Sequence, residues 1–119
     1  MPYLREWTYE ELAKYFEGKE GSRKFANNTT IEKTYTVADS RTPKGLCFVV
    51  RLHGNAIAFI YRDKVSIMSR SWQTSTTKER LNRVLRPLGY NLYQKQFVWY
   101  VDNRSTGEKV PYFEGMILR

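Results

Sequence analysis

The spacing of apolar residues changes period three times along this chain, and each change marks a new kind of element. Leu12, Ala13 and Phe16 recur at helical spacing. Ahead of them Thr8 and Glu11 form a capping box, and Trp7 and Leu12 have hydrophobic-staple spacing. Gly18 and Gly21 end this first helix. "SRKFANN" reads as a polar connector. From Thr29 the pattern alternates: Ile31, Lys33, Tyr35 and Val37 share one face of a strand. "SRTPKG" over 40–45 is a turn. "LCFVVRLH" is apolar on both faces and predicts a central strand. Gly54-Asn55 signals a hairpin into "AIAFIY", and "RDK" a second tight turn into "VSIMS". Residues 29–69 therefore predict a four-strand antiparallel meander.

Helical spacing returns after Thr76. Thr76 and Glu79 make a second capping box, with Thr76 as N-cap. Leu81, Val84, Leu85 and Leu88 recur at i, i+3, i+4, i+7 and predict one buried face. Glu79, Arg83 and Arg86 lie opposite that face, with Lys78 and Arg80 flanking it. Pro87 and Gly89 stop the helix. "YNLYQKQ" and "FVWYV" follow as strands around a turn near Lys95-Gln96, with Phe97, Trp99 and Val101 on a core face. "DNRSTGE" is a hairpin loop. "KVPYFEGMIL" is a last strand, in which Pro111 and Gly115 suggest an edge or a bulge. The order α-β-β-β-β-α-β-β-β predicts a single α+β domain over 1–119, with about seven strands in a largely antiparallel sheet and two helices. Residues 1–25 would form the N-terminal helix and connector, and 26–119 the sheet with the second helix.

Charge adds a partner class to this picture. The formal charge is +8, and residues 1–20 carry three basic and five acidic side chains, so the excess lies entirely in the rest of the chain. Aromatic residues make up 15%. A basic, aromatic-rich body fits nucleic acid or a nucleotide-like polyanion. The sharpest local candidate is "SRSWQTSTTKERLNRVL" at 69–85. A helix N-terminus attracts anions through free N–H groups and a partial positive charge. Thr74 and Ser75 add hydroxyls there, with Ser71, Thr76 and Thr77 beside them. Arg70, Lys78, Arg80, Arg83 and Arg86 add cations, and Trp72 a face for stacking. A plainer reading stands beside it: the capping box uses the free N–H groups itself, Glu79 repels phosphate and pairs with Arg83, and Trp72 belongs to the core. In "YQKQFVWYV", Tyr93 and Tyr100 are further candidate stacking residues.

Catalysis is poorly supplied. There is one histidine, His53, and one cysteine, Cys47. Together they cannot complete a usual zinc set. Asp39, Asp63, Asp102 and Glu114 are scattered, and no nucleophile elbow, Walker A loop or dinucleotide fingerprint occurs. No enzyme activity, metal or cofactor is expected. Cys47 inside "GLCFVVRL" reads as a buried, inert thiol. The N-terminus lacks a signal-peptide core, and no apolar run approaches the ~20 residues of a membrane helix. A soluble protein acting in the cytoplasm, without a membrane partner, is expected.

From about Asn27 onward, "NNT", "VRLHGNAIAFI", "SWQTSTTKERLN", "YQKQFVWYV" and "FEGM" resemble a family of small tailed-bacteriophage proteins with no established activity. Gly often precedes the tryptophan in that pattern, where this chain has Ser71. The resemblance covers roughly three-quarters of the chain by eye, with the Trp-to-helix segment as its most specific part. It implies a phage gene product acting in the host cytoplasm and transfers no catalytic or binding residue. The leading expectation is a viral accessory protein that binds nucleic acid or a nucleotide-like polyanion without catalysis. The alternative is an anti-defence, anti-CRISPR-like module docking on a host protein with an acidic or nucleic-acid-binding surface. A structural role in the virion comes third.

Overall fold

A computed structural model describes residues 6–35, 45–70 and 72–119. Val37, the turn over 40–44 and the Ser71 hydroxyl lie outside them. Helix α1 is Tyr9–Tyr15, and Thr8 caps it by accepting from the Glu11 N–H at 3.2 Å. A five-strand antiparallel meander follows: β1 (Ser22–Ala26), β2 (Thr29–Tyr35), β3 (Leu46–Leu52), β4 (Asn55–Ile60) and β5 (Val65–Ile67). Helix α2 spans Ser75–Leu85 and runs into a 3-10 turn at Arg86–Leu88. Then come β6 (Tyr90–Lys95), β7 (Val98–Asn103), β8 (Lys109–Pro111) and β9 (Met116–Leu118).

The α+β, antiparallel, two-helix reading holds, but among the described residues nine strands form two sheets. One is ordered β1-β2-β3-β4-β5-β9, the other β6-β7-β8. Two local differences account for this. "SRKFA" is a strand, because Phe25 packs its ring against Trp7, Tyr15 and Phe16. The last predicted strand divides at Tyr112–Gly115, so that β8 ends at Pro111 in one sheet while β9 pairs with β5 in the other. Proline terminates β8 because it has no N–H for the ladder.

Register explains which residues become core. Directly paired residues in an antiparallel ladder share a face. Ile31, Val50, Ala58, Ile67 and Met116 form one such row across the large sheet, and Phe48, Ile60, Val65 and Leu118 form the next. Both rows are buried, together with Trp7, Leu12 and Phe16 from the α1 region and Leu81, Val84 and Leu85 from α2. Leu92, Trp99 and Val101 of the small sheet join the same core. β3 is central, as its two apolar faces predict, and Cys47 is buried. Burial pushes its thiol pKa up, which keeps it protonated and unreactive.

α2 begins earlier than expected. Thr74, not Thr76, is the N-cap: its extended backbone lets Oγ1 accept from the Thr77 N–H at 3.1 Å. Any of four successive hydroxyl residues could cap. Burial decides, because Thr77 is 1% exposed and continues the buried face of Leu81, Val84 and Leu85 at i, i+4, i+7, i+8. At the other end the face stops short. The 3-10 turn winds tighter than an α-helix, and Leu88 is rotated out to 43% exposure. Gly89 closes the turn at φ +89°, a conformation that favours a residue without a Cβ.

α2 is tied to the small sheet by one polar residue. Asn82, 7% exposed, donates to the Leu92 carbonyl at 2.9 Å and accepts from the Leu92 N–H at 2.8 Å. This side chain substitutes for a missing strand neighbour, so β6 can lie against a helix without orphaned backbone groups.

Candidate functional site

Three turns converge at the N-terminal end of α2. The β1–β2 connection is Asn27-Asn28, with Asn28 at φ +55°. The β3–β4 connection is His53-Gly54, one residue before the expected pair, with both residues at positive φ. The His53 N–H donates to the Asn28 carbonyl at 2.7 Å and locks the two turns together. The third segment, 69–74, leads from β5 into α2. Its Trp72 is 48% exposed and meets the His53 ring edge-on, with centroids 6.0 Å apart. Trp72 is therefore not core, whereas Trp7 and Trp99 are.

Ser69 and Arg70 are held by a carboxylate that its sequence surroundings do not mark. Glu114 accepts from the Ser69 N–H at 2.7 Å, the Ser69 hydroxyl at 2.6 Å and the Arg70 N–H at 3.1 Å. It also accepts from the Tyr112 hydroxyl. Partial burial pushes the Glu114 pKa up, but these donors outweigh it and the carboxyl is held below its ordinary value. Burial and the Glu114 carboxylate together push the Tyr112 hydroxyl well above the usual phenol range, so Tyr112 stays a donor. This latch keeps Arg70 at φ +55°, a left-handed conformation that costs energy in a residue with a side chain.

The predicted site residues divide into three groups. Arg70, Trp72, Thr74, Ser75 and Lys78 lie together at this end. Arg70 is exposed, although its Nε donates to the Ala56 carbonyl at 2.9 Å. Thr74 is committed to capping, while the N–H groups of Ser75 and Thr76 have no partner among the described residues. Lys78 forms no ion pair among the described residues.

Arg83, expected opposite the buried face, and Arg80, expected beside it, are both engaged by neighbouring segments. The Arg80 side chain is 11% exposed; its Nε donates to the Thr29 hydroxyl at 2.9 Å and its NH2 group to the Asn27 carbonyl at 3.3 Å. It pins α2 to the β1–β2 turn. The Arg83 guanidinium lies 5.1 Å from the centre of the Trp7 ring, and the Trp7 N–H donates to the Arg83 carbonyl at 2.9 Å. Both arginines also bind Glu79. Burial alone would raise the Glu79 pKa, but its bonds and attraction to Arg83 and Arg80 lower it. Its charge is thereby partly neutralised.

Arg86 is at the other end of α2, roughly 16 Å away along the axis. Its Nε donates to the Asn91 side chain at 3.4 Å, which places it at the rim of the small sheet. There Tyr93 and Tyr100 are paired across β6 and β7, with rings stacked at 5.7 Å. Lys109 approaches Tyr93 at 6.0 Å. Phe97, expected in the core beside Trp99, is instead 91% exposed, because the β6–β7 turn is Gln96-Phe97 rather than Lys95-Gln96.

A separate hollow of about 320 Å³ lies between Trp7, Tyr9, Ile60, Arg62, Val84 and Leu88, and none of the predicted site residues lines it. Among the described residues, no cluster of His, Cys, Asp and Glu is placed to hold a metal ion, and no helix is long and apolar enough to cross a membrane.

Sequence reading missed His53 and Glu114. His53 was legible only as a turn residue, and its contact with Trp72 depends on two turns meeting. Glu114 is 45 residues from Ser69 in the chain, with no local pattern to link them.

No curated protein and no solved structure matches this chain. A family model, described as Kyanoviridae Gp96 protein, matches residues 16–119, a span that includes the meander, α2 and both sheets. The chain belongs to this family of tailed-cyanophage proteins.

Proposed function

We propose that this is a non-catalytic phage accessory protein that binds nucleic acid, with the end of the sheet around Trp72 receiving the sugar-phosphate backbone. The observation that carries this reading is the meeting of exposed Trp72 and His53 with Arg70 and Lys78, in a chain of formal charge +8. Arg70 and Lys78 would neutralise phosphates, and Trp72 would stack on a base or sugar. Arg80, Thr74 and Glu114 hold this surface rather than touch the ligand. The protein would act in the host cytoplasm.

Titration of labelled single-stranded and duplex oligonucleotides at two salt concentrations tests this. Affinity should fall steeply with salt. Lys78→Ala should weaken binding to all sequences and reduce the log–log salt slope by about one. Trp72→Ala should weaken binding without changing that slope. Absence of binding at low salt would overturn the reading.

One observation favours docking on a host protein instead. Phe113, 60% exposed, precedes the edge strand β9, and Ile117, 55% exposed, lies within it. A nuclease-resistant, stoichiometric partner captured from host lysate and lost in Ile117→Lys would favour that alternative.

A further inference from the structure

The geometry points to a second site: the outer face of the β6–β7–β8 sheet is a stacking platform for single-stranded nucleic acid. It rests on the nucleic-acid reading of the basic body but shares no residue with the Trp72 surface.

Strand alternation and register define the face. Asn91, Tyr93 and Lys95 of β6 pair with Asp102, Tyr100 and Val98 of β7, and Lys109 and Pro111 of β8 complete the rows. The opposite face carries Leu92, Trp99 and Val101, which are buried. The stacked tyrosines sit at the centre, with Lys109 against Tyr93. Arg86 is bonded to Asn91 at one end of the β6 row, and Lys95 stands at the other. Asn91 and Lys95 are four residues apart, roughly 13 Å at strand rise. Against the three cations this face carries one carboxylate, the half-buried Asp102, whose Oδ1 is buried. Charge therefore complements a phosphate chain, while the rings offer π-faces that accept any base.

The hairpin tip supplies an independent observation. Gln96 and Phe97 have φ of +51° and +67°. A two-residue turn of this kind favours Asn-Gly, and a bulky residue in the left-handed region is an outlier. Phe97 adds 91% exposure to that cost, and Val98 beside it is 45% exposed. Neither folding nor packing accounts for a phenyl ring there. A ring that extends the stacking row beyond Tyr93 and Tyr100 does.

The test is fluorescence anisotropy of labelled oligothymidine and of a duplex of equal length, in wild type, Phe97→Gly, Tyr100→Ala and Tyr100→Phe. Oligothymidine should bind more tightly than duplex. Phe97→Gly and Tyr100→Ala should each weaken it by about tenfold, the loss of one stacked base, and Tyr100→Phe should retain binding. Phe97→Gly suits the turn, so its loss of binding would not reflect misfolding. No single-strand preference, or affinity unchanged in both Phe97→Gly and Tyr100→Ala, would overturn the proposal. So would a nuclease-resistant protein partner lost on Phe97→Gly without any oligonucleotide effect. Weakening by Phe97→Gly but not by Trp72→Ala or Lys78→Ala would retain this site and reject the Trp72 surface; the reverse would reject this site alone.

Discussion

The surface around Trp72 and the surface around Tyr93 use the same two ingredients, rings and basic side chains, and deploy them in opposite ways. Around Trp72 the backbone is made of turns and a loop. Those segments have no ladder to satisfy them, so side chains do it. Arg80 binds Asn27 and Thr29, the Arg70 Nε binds Ala56, Thr74 caps α2, and Glu114 gathers Ser69 and Arg70. Around Tyr93 the strand ladder, with Asn82 on the open side of β6, satisfies the backbone, so Lys95, Lys109 and both tyrosines are released from structural work. Counting basic residues in a sequence therefore overestimates a loop-built site and underestimates a strand-built one.

The strand-built surface depends on its attachment to α2, and that attachment is the largest lever. Asn82→Ala removes both bonds to Leu92 and leaves a buried N–H and C=O unpaired. At about 1–3 kcal/mol for each unsatisfied group, the protein should lose about 3 kcal/mol. Urea denaturation measures this. Oligothymidine binding should fall with it, while the Trp72 surface, anchored to β1–β5, should be affected less. Equal loss at both surfaces would show that they are one mechanical unit.

The loop-built surface depends on Glu114. Glu114→Ala should destabilise the protein by about 1–2 kcal/mol, a charge-assisted network discounted for its exposure. The folded carboxyl pKa is depressed, so its contribution is present above the ordinary carboxylate pKa and is lost as pH falls through the lower folded value. The difference in melting temperature between wild type and variant should be constant near neutrality and shrink in acid below pH ~4.5. Salt-sensitive duplex binding should weaken in the variant, because Arg70 and Trp72 lose their fixed loop. A pH-independent difference would mean that the network does not depend on the Glu114 charge.

The contrast also explains what was legible in the sequence. Periodicity located both helices, the central strand β3 and the buried Trp99, because these follow from local alternation. It placed the α2 cap two residues late, since successive hydroxyls are equivalent until Thr77 is buried. It missed β1, whose large apolar anchor, Phe25, is recognisable only once Trp7 and Phe16 are beside it. Arg83 read as an outward cation because helical geometry gives a direction but not the neighbour, Trp7, that lies against it. Trp72 and Tyr93 were legible as candidates by residue type alone. Their exposure was not, because it depends on which turns and sheets end beside them.

The smallest effect separates stability from function most cleanly. In the turn at Gln96-Phe97, two side chains are held at positive φ, and an asparagine-glycine pair in their place relieves both. Glycine at such a position removes the Cβ conflict, and asparagine tolerates it better than glutamine. The double substitution Gln96→Asn with Phe97→Gly should therefore stabilise the protein by about 1 kcal/mol, net of the greater freedom glycine gives the unfolded chain. Thermal unfolding reads this as a rise in melting temperature. Single-strand affinity should drop in the same variant, so the two properties move in opposite directions. A turn made more stable and less capable of binding would identify Phe97 as retained for contact. A gain in stability with binding intact would return Phe97 to the status of an ordinary turn residue and confine any nucleic-acid contact to the Trp72 end.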